Sequence, residues 1–305
     1  MSPLFSHILV GIEDSQPSRD AVALATRLAR EHGGRLALCH AVNWRPLIAE
    51  IASTGAIIDP DTIVNDLRAD GEAALASAAG IAARDGVAAE TYTYEGDPAE
   101  GIVGLAAEHG CSLIVMGTHG RKGLGHMILG STTEAVLRFS PIPVLTVHAG
   151  ARIAAGARRC FERIVVGVDD SLPSDAAIDT IVDLPTEDRR EVLFCSVADG
   201  DHVVGGRGYY YAEVHEALRE HAQYVVDKAV ALARAHGVVA AGCVVDGNAE
   251  RALIDTATDQ SADLIVLGSH GRRGLRRFLL GSVAESVVRS ALVPVLVART
   301  AVAHV

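Results

Sequence analysis

The chain has 305 residues, of which 49% are hydrophobic, 21% are charged and only 4% are aromatic. This composition is typical of a globular α/β protein, and the length suffices for two domains that each bury a core. The formal net charge of −11 argues against binding to nucleic acid or to anionic membranes, because both attract basic surfaces.

The N-terminal segment and the cysteines predict a cytoplasmic protein. Residues 1–15 lack the basic start and the small-residue cleavage site of a signal peptide, and no apolar stretch approaches the ~18 residues of a membrane-spanning helix. The five cysteines are odd in number, scattered and without a C-x-x-C pair, so they do not form a disulfide framework. We expect free thiols, most of them small core residues, in a reducing compartment.

The sequence contains an internal repeat. The segment HILVGIEDSQPSRDAV at 7–22 matches RIVVGVDDSLPSDAAI at 163–178, and SPIPVLTVH at 140–148 matches ALVPVLVAR at 291–299. The repeat predicts a first domain over residues 1–149, a linker over 150–161 and a second domain over 162–305.

In the first half, short apolar runs alternate with helical patterns. Strands are predicted at 7–12, 35–42, 88–94, 112–116 and 143–147. Helices are predicted near 17–32, 61–85, 98–109 and 131–139. Runs such as ILVGI and LIVM lack polar alternation, which is typical of strands covered on both faces.

The second half repeats this pattern, with strands near 163–168, 191–197, 238–245, 263–267 and 294–298. Alternation of strands and helices predicts right-handed crossovers and a parallel sheet. The predicted fold class is therefore α/β, with two similar doubly wound, Rossmann-like domains, each a five-stranded parallel sheet flanked by helices. Ligands of such sheets bind beyond the carboxyl ends of the strands.

A glycine-rich loop follows the fourth predicted strand of each half. GTHGRKGLGHMILGS at 117–131 and GSHGRRGLRRFLLGS at 268–282 agree at nine of fifteen positions. Both have the spacing G-x2-G-x9-G-S, and the last pair opens a helix. Glycines let backbone N–H groups approach a ligand, and a helix N-terminus favours anions, so we predict phosphate binding. The simpler alternative is that the glycines only make a turn and the serine only caps a helix.

Other ligand motifs do not fit. Gly120 and Gly125 have the separation of a P-loop, but His126 and Met127 stand where that motif needs Lys and Ser or Thr. The pattern G-x-G-x-x-G is absent from these loops. HEALREH at 215–221 is not a zinc-protease helix, because Arg219 stands where H-E-x-x-H needs its second histidine.

With the G-x2-G-x9-G-S motif in both halves, the chain resembles a tandem universal stress protein of the ATP-binding branch. The resemblance covers nearly the whole chain. It implies that the loops hold the triphosphate of ATP, with Mg²⁺ or Mn²⁺ on the phosphates rather than on protein ligands. The implied residues are Gly117, Gly120, Gly130, Ser131 and Thr132 in the first half, and Gly268, Gly271, Gly281, Ser282 and Val283 in the second.

The resemblance also implies contacts to the nucleoside. The family has a carboxylate at the end of the first strand, which contacts the ribose. That position is Asp169 in the second half and Glu13 in the first, where the longer side chain departs from the family pattern. A backbone contact to adenine falls at Ala41 and at Val197. The alternative role of Glu13 and Asp169 is to help the serine two residues later cap the next helix.

The polar residues inside the loops carry less specific expectations. Arg121 and Lys122, and the four arginines between 272 and 277, are placed to screen phosphate charge, although loop charges are more often only solvated. His119 and His270 are expected to serve the turn rather than catalysis, because no partner carboxylate is identifiable.

Three further expectations concern residues around the loops. Replacing Gly117 or Gly268 with a bulky or acidic residue is expected to block phosphate binding and to leave the fold largely intact. GGRGYYYAEV at 205–214 is expected to be a surface loop before a helix. Trp44 is expected to pack against the protein rather than stack on a base.

These patterns predict an ATP-binding regulatory protein with one ATP site per domain, and the resemblance adds a role in stress adaptation. Two alternatives remain open: a slow ATPase or nucleotidyl-transferring enzyme on the same fold, and a scaffold with one or both sites weakened. No catalytic residue is assigned. The resemblance implies that the apolar last strands pair the domains as a pseudo-dimer; a homodimer and an unidentified protein partner are further expectations.

Overall fold

A computed structural model divides the chain into two compact units, with the division close to residue 150. The structure describes residues 2–54, 59–118, 129–148, 159–184, 190–198, 209–271 and 280–300. Each unit is an α/β domain with helices packed against a parallel sheet, as predicted. No helix within the described ranges combines the length and the apolar character needed to cross a bilayer.

The sheet of the first unit has the order β3-β2-β1-β4-β5, and its strands are parallel. Its strands are β1 His7–Gly11, β2 Arg35–Val42, β3 Ala89–Glu95, β4 Leu113–Gly117 and β5 Val144–Val147. Its helices are α1 Gln16–His32, α2 Arg45–Ser53, α3 Pro60–Arg84, α4 Pro98–Glu108 and α5 Ser131–Phe139, after a 3₁₀ turn at Pro3–Phe5. The strand order reverses between β1 and β4, which is where doubly wound sheets bind ligands.

The second unit repeats this topology, with the order β8-β7-β6-β9-β10. Its strands are β6 Arg163–Gly167, β7 Glu191–Ala198, β8 Val239–Asp246, β9 Leu264–Gly268 and β10 Val295–Ala298. Its helices are α6 Leu172–Val182, α7 Tyr209–Ala235, α8 Ala249–Asp259 and α9 Ser282–Ser290. The switch in strand order lies between β6 and β9.

The apolar runs form the cores because helices cover both faces of the sheets. Every residue of β1 and of β4 is buried, which explains the lack of polar alternation in their sequences. The first helix of each unit begins with the same cap. Ser15 accepts a hydrogen bond from the backbone N–H of Ser18, and Ser171 accepts one from Ser174. These caps fix the turns that follow β1 and β6.

The predicted strands, and the helices predicted in the first half, agree with the structure to within one residue at each end. Two expectations were wrong. Helix α2 was not predicted, because its nine residues, unlike those of α5, follow no glycine–serine motif that marks a start. The tyrosines at 209–211 form the first turn of α7 rather than a loop. The sequence carries no sign of this helix start, because no capping residue marks it.

Candidate functional site

A cavity of about 620 Å³ lies at the carboxyl ends of β1, β2 and β4 in the first unit. Its volume falls within the roughly 300–1,000 Å³ of typical small-molecule sites. The cavity brings together predicted residues from three separate parts of the chain. Those on its wall are Glu13, Ala41, Gly117, Gly130, Ser131 and Thr132.

Glu13 lies in the turn between β1 and α1 and is half-buried. Its backbone N–H donates to Ser18 Oγ at 3.1 Å, and its Oε1 accepts from the hydroxyl of Ser15 at 2.9 Å. The longer carboxylate therefore folds back onto the serine that caps α1. The ribose and capping roles are compatible at this position, because the same side chain both contacts the cap and lines the cavity.

The N-terminus of α5 forms another part of the wall. Gly130 is the N-cap residue, and no side chain caps the first turn, so Ser131 is not the cap that the simpler interpretation required. Ser131 is exposed on the cavity wall, and the residues that follow it line the same space. An uncapped helix N-terminus presents backbone N–H groups and a positive dipole end to anything that enters the cavity.

Two buried hydrogen bonds hold this helix end against β4. The N–H of Gly130 donates to the carbonyl of Thr118 at 2.7 Å, and the hydroxyl of Thr133 donates to the carbonyl of Gly117 at 2.7 Å. Thr133 is only 3% exposed. These bonds position the helix end at the close of the glycine loop.

Gly117 and Gly268 have a packing role that was not predicted from the sequence. A Cβ atom on Gly117 would lie 2.8 Å from the carbonyl carbon of Pro17, and one on Gly268 would lie 2.4 Å from the carbonyl carbon and oxygen of Pro173. These neighbours are backbone atoms of the first helix of each unit, so they cannot rotate away. Both glycines allow close packing of strand against helix, so we expect bulky substitutions there to disturb the fold as well as the loop.

Several cavity residues carried no sequence signal. His40 lies near the end of β2, and its Nδ1 is 2.8 Å from the carbonyl oxygen of Ile12. Asp70 comes from α3 and Ile102 from α4, two helices that no nucleotide motif marks. With Met116 and Leu129 they give the cavity both apolar and polar walls. Only the packing of α3 and α4 against the sheet shows that Asp70 and Ile102 belong to the site.

The turn that carries Asp169 in the second unit has the same construction. Asp169 Oδ1 accepts from the hydroxyl of Ser171 at 2.6 Å, and the backbone N–H of Asp169 donates to Ser174 Oγ at 3.1 Å. A Cβ atom on Gly271 would lie 2.4 Å from Asp169 Oδ2, so the start of the glycine loop passes directly over this carboxylate. The structure thus brings Asp169 and Gly271 together.

Gly281 is the uncapped N-cap residue of α9, and its N–H donates to the carbonyl of Ser269 at 2.8 Å. Ser282 is exposed at the first helical position and Val283 is half-buried beside it. Val197 is half-buried near the end of β7, opposite Val245 on β8. The second unit therefore repeats the main-chain arrangement, but Val283 lacks the hydroxyl that Thr132 provides in the first.

Part of each glycine loop lies outside the described residues. Gly120, His119, Arg121 and Lys122 fall there, as do the four arginines between 272 and 277. His270 is described, and its Nδ1 is buried without a hydrogen-bond partner among the described residues. Trp44 is half-buried, and the guanidinium of Arg45 lies 5.6 Å from the centre of its ring.

A matching ion pair joins the long helix of each unit to the end of its outer strand. Arg68 on α3 donates through Nε and Nη2 to Glu95 Oε1, at 2.9 and 2.6 Å. Arg219 on α7 pairs with Asp246, which also lies 3.3 Å from His215 Nε2. His215 and Arg219 of the HEALREH segment therefore contact the carboxylate of Asp246. The described residues contain no cluster of three or more metal-ligand side chains.

Comparison with known sequences gives the same two-part division. The sequence profile of the universal stress protein family matches residues 4–148 and again residues 161–299. The universal stress protein YxiE of Bacillus subtilis is 37% identical over 149 residues, which are 48% of this chain and 100% of that protein. The universal stress protein Rv2005c of Mycobacterium tuberculosis is 26% identical over 300 residues, which are 96% of each chain.

Solved structures share the fold. A universal stress protein from Archaeoglobus fulgidus has a TM-score of 0.68 at 21% identity, and the match covers 97% of both chains. A functionally unknown protein, PA1789 from Pseudomonas aeruginosa, has a TM-score of 0.59 at 19% identity. The two family matches, together covering most of the sequence, establish that this chain belongs to the universal stress protein family as a tandem, two-domain member.

Proposed function

We propose that each unit binds one ATP molecule and that the protein acts in stress adaptation through ATP-dependent conformation or partner binding. One observation carries this proposal. The carboxylate turn after β1, the end of β2 and the uncapped start of α5 converge on a single cavity of suitable volume. The stress role rests on membership of the family.

The described walls suit the parts of a nucleotide. The start of α5, with Ser131 and Thr132, supplies donors and a positive dipole end for phosphate oxygens. Glu13 offers an acceptor for ribose hydroxyls, and Ala41, to which the resemblance assigns the adenine contact, lines the same cavity. Ile102 adds apolar surface. The site therefore offers a different chemical environment at each end.

A divalent ion on the phosphates fits this charge distribution. The described wall carries the carboxylates of Glu13 and Asp70, which repel a triphosphate rather than neutralise it. Backbone N–H groups and a helix end offset only part of the charge of ATP. Mg²⁺ or Mn²⁺ held mainly by substrate phosphates supplies the remaining neutralisation, as is common for Mg²⁺.

We propose binding rather than rapid hydrolysis. Hydrolysis needs an oriented water, a base or positioning group and charge stabilisation at the γ-phosphate. Glu13 and Asp169 are held by the capping serines at the ribose end. His270 lies in the second loop, and its buried Nδ1 has no hydrogen-bond partner among the described residues to orient it.

The proposal is tested with acidic substitutions at the first residue of α5 and α9. Ser131 and Ser282 are exposed, and a glutamate in a first helical turn stabilises the helix. The changes Ser131→Glu and Ser282→Glu should therefore preserve folding while placing negative charge against the phosphates. Titration calorimetry with Mg·ATP should give two sites per chain in the parent protein, one in each single variant and none in the double variant.

The matched control is Ser77→Glu, which adds the same charge at an exposed position of α3 that does not line the cavity. It should bind ATP as the parent does. Mass spectrometry of gently purified protein should also detect ATP in the parent and not in the double variant. Unchanged ATP affinity in a folded double variant would overturn the proposed sites, and absence of ATP binding by the parent would favour the scaffold alternative.

A further inference from the structure

Two cysteines of the second unit lie directly opposite each other on neighbouring strands. Cys195 of β7 is the register partner of Cys243 of β8, in a run of parallel pairs from Glu191 to Ala198. Register partners in a parallel sheet point to the same face, so the two thiols are neighbours. Sequence spacing gives no indication of this pair, because α7 separates the two strands along the chain.

The two thiols differ in exposure. Cys195 is 1% exposed, and its sulfur lies 3.9 Å from the hydroxyl of Thr256 on α8. Cys243 is half-buried on β8, the outermost strand of the described second-unit sheet on that side. A small reagent can therefore reach Cys243, whereas Cys195 is enclosed between the sheet and α8.

The contact between the thiols also divides their reactivity. The neighbouring Cys195 thiol lowers the pKa of Cys243. The same contact, together with burial, raises the pKa of Cys195. The thiolate is the reactive form of cysteine, so the more exposed sulfur is also the more nucleophilic one.

We infer that Cys243 and Cys195 form a peroxide-reactive dithiol that is reversibly oxidised to an intramolecular disulfide. The Cys243 thiolate attacks the terminal oxygen of a hydroperoxide, forming a sulfenic acid and releasing the alcohol, or water from hydrogen peroxide, after proton uptake. The sulfur of Cys195 then attacks the Cys243 sulfur, forms the S–S bond and releases the sulfenic oxygen as water with the Cys195 proton. The reaction does not depend on ATP binding.

The sheet geometry permits this bond. Neighbouring strands are about 4.8 Å apart, and disulfides span Cα distances of about 4.4–6.8 Å. The Cβ atoms of a disulfide are usually closer than the strand spacing, so forming the bond requires β8 to shift toward β7. An outer strand can make such a shift because only one of its sides is paired within the unit.

The first unit contains a natural contrast. Cys39 occupies the position on β2 that Cys195 occupies on β7, but its register partner on β3 is Tyr92. Cys39 is 1% exposed, and burial raises its pKa to about 12. It has neither a second thiol opposite nor a stabilised thiolate. The dithiol is therefore a property of the second unit and not of the fold.

The test uses the full chain, reduced and then treated with hydrogen peroxide. Titration of thiols after denaturation should show a loss of two of the five thiols, restored by dithiothreitol. Peptide mapping should find Cys195 joined to Cys243 within one chain. In Cys195→Ser, which removes the resolving thiol, dimedone should label a sulfenic acid at Cys243.

Two control variants make the result decisive. Cys243→Ser should lose no thiols, and Cys111→Ser, which changes a buried cysteine with a pKa raised to about 11, should still lose two. Unfolding curves identify any variant that fails to fold. Retention of all five thiols by the peroxide-treated parent would overturn the inference. So would a disulfide that joins other cysteines or two chains, or dimedone labelling of Cys195→Ser elsewhere than at Cys243.

Discussion

Alanine at Gly268 should destabilise the second unit in the absence of any nucleotide. The added Cβ atom would lie 2.4 Å from both the carbonyl carbon and the carbonyl oxygen of Pro173, at the start of α6. An ordinary contact needs about 3.5–4.0 Å, so strand β9 and helix α6 must separate by more than 1 Å or distort locally. Gly268 has no positive φ, so backbone strain does not contribute.

Overpacking of this kind costs roughly 1–3 kcal/mol, and the entropy advantage of alanine over glycine offsets about 0.5–1 kcal/mol of it. We expect Gly268→Ala to fall in the upper part of the range, and Gly117→Ala below it, because its closest backbone contact would be 2.8 Å rather than 2.4 Å. A loss of 1 kcal/mol lowers the melting temperature of a domain of this size by about 2–4 °C.

The assay is denaturant and thermal unfolding of nucleotide-free protein. Gly80→Ala and Gly104→Ala are matched controls, because both glycines are exposed in helices and a Cβ atom there meets nothing within 4 Å. They should leave stability unchanged or raise it by about 0.5–1 kcal/mol. A nucleotide-free Gly268→Ala protein as stable as the parent would refute the packing role. If the role holds, loss of ATP binding in this variant says nothing about phosphate contacts.

Three further predictions concern the cap, the buried histidine and turnover. Ser171→Ala should lower the stability of the second unit by about 1 kcal/mol, since it removes the cap of α6 and the donor to Asp169; denaturant unfolding beside Ser77→Ala checks this. Burial, followed by nearby Arg35, lowers the pKa of His7 below its ordinary value of 6.5, so the folded state favours the neutral ring. The unfolding free energy should therefore fall as the pH drops below about 6.5 toward the lower pKa of folded His7, and His7→Gln should reduce that fall. An unchanged pH profile in the variant would show that His7 is not the group responsible. Phosphate release with Mg·ATP should remain far below the ~1–100 s⁻¹ of kinases, whereas multiple turnovers per second that are lost in His119→Ala, His270→Ala with ATP binding retained would favour the enzyme alternative.

The strands, the repeat and the family motif could all be predicted from the sequence because each depends on short-range patterns. Runs such as LIVM at 113–116 are apolar throughout, which is typical of strands covered on both faces. The G-x2-G-x9-G-S spacing located one wall of the cavity, since the end of a strand and the start of a helix are fixed by adjacent residues. Glu13 and Ala41 came from the family resemblance, which implies a carboxylate after the first strand and a backbone contact near the end of the second.

Only the tertiary structure decided what surrounds these positions. His40 and Asp70 both line the cavity because α3 packs over β2. The residues next to them in sequence do not indicate this packing. The glycine at 268 proved to be a packing residue, because the backbone of α6 lies where its side chain would be. Cys195 and Cys243 became a pair because parallel strands bring together residues that a whole helix separates along the chain. Local patterns specify elements, but the contacts between elements depend on register and packing, which distant parts of the chain determine jointly.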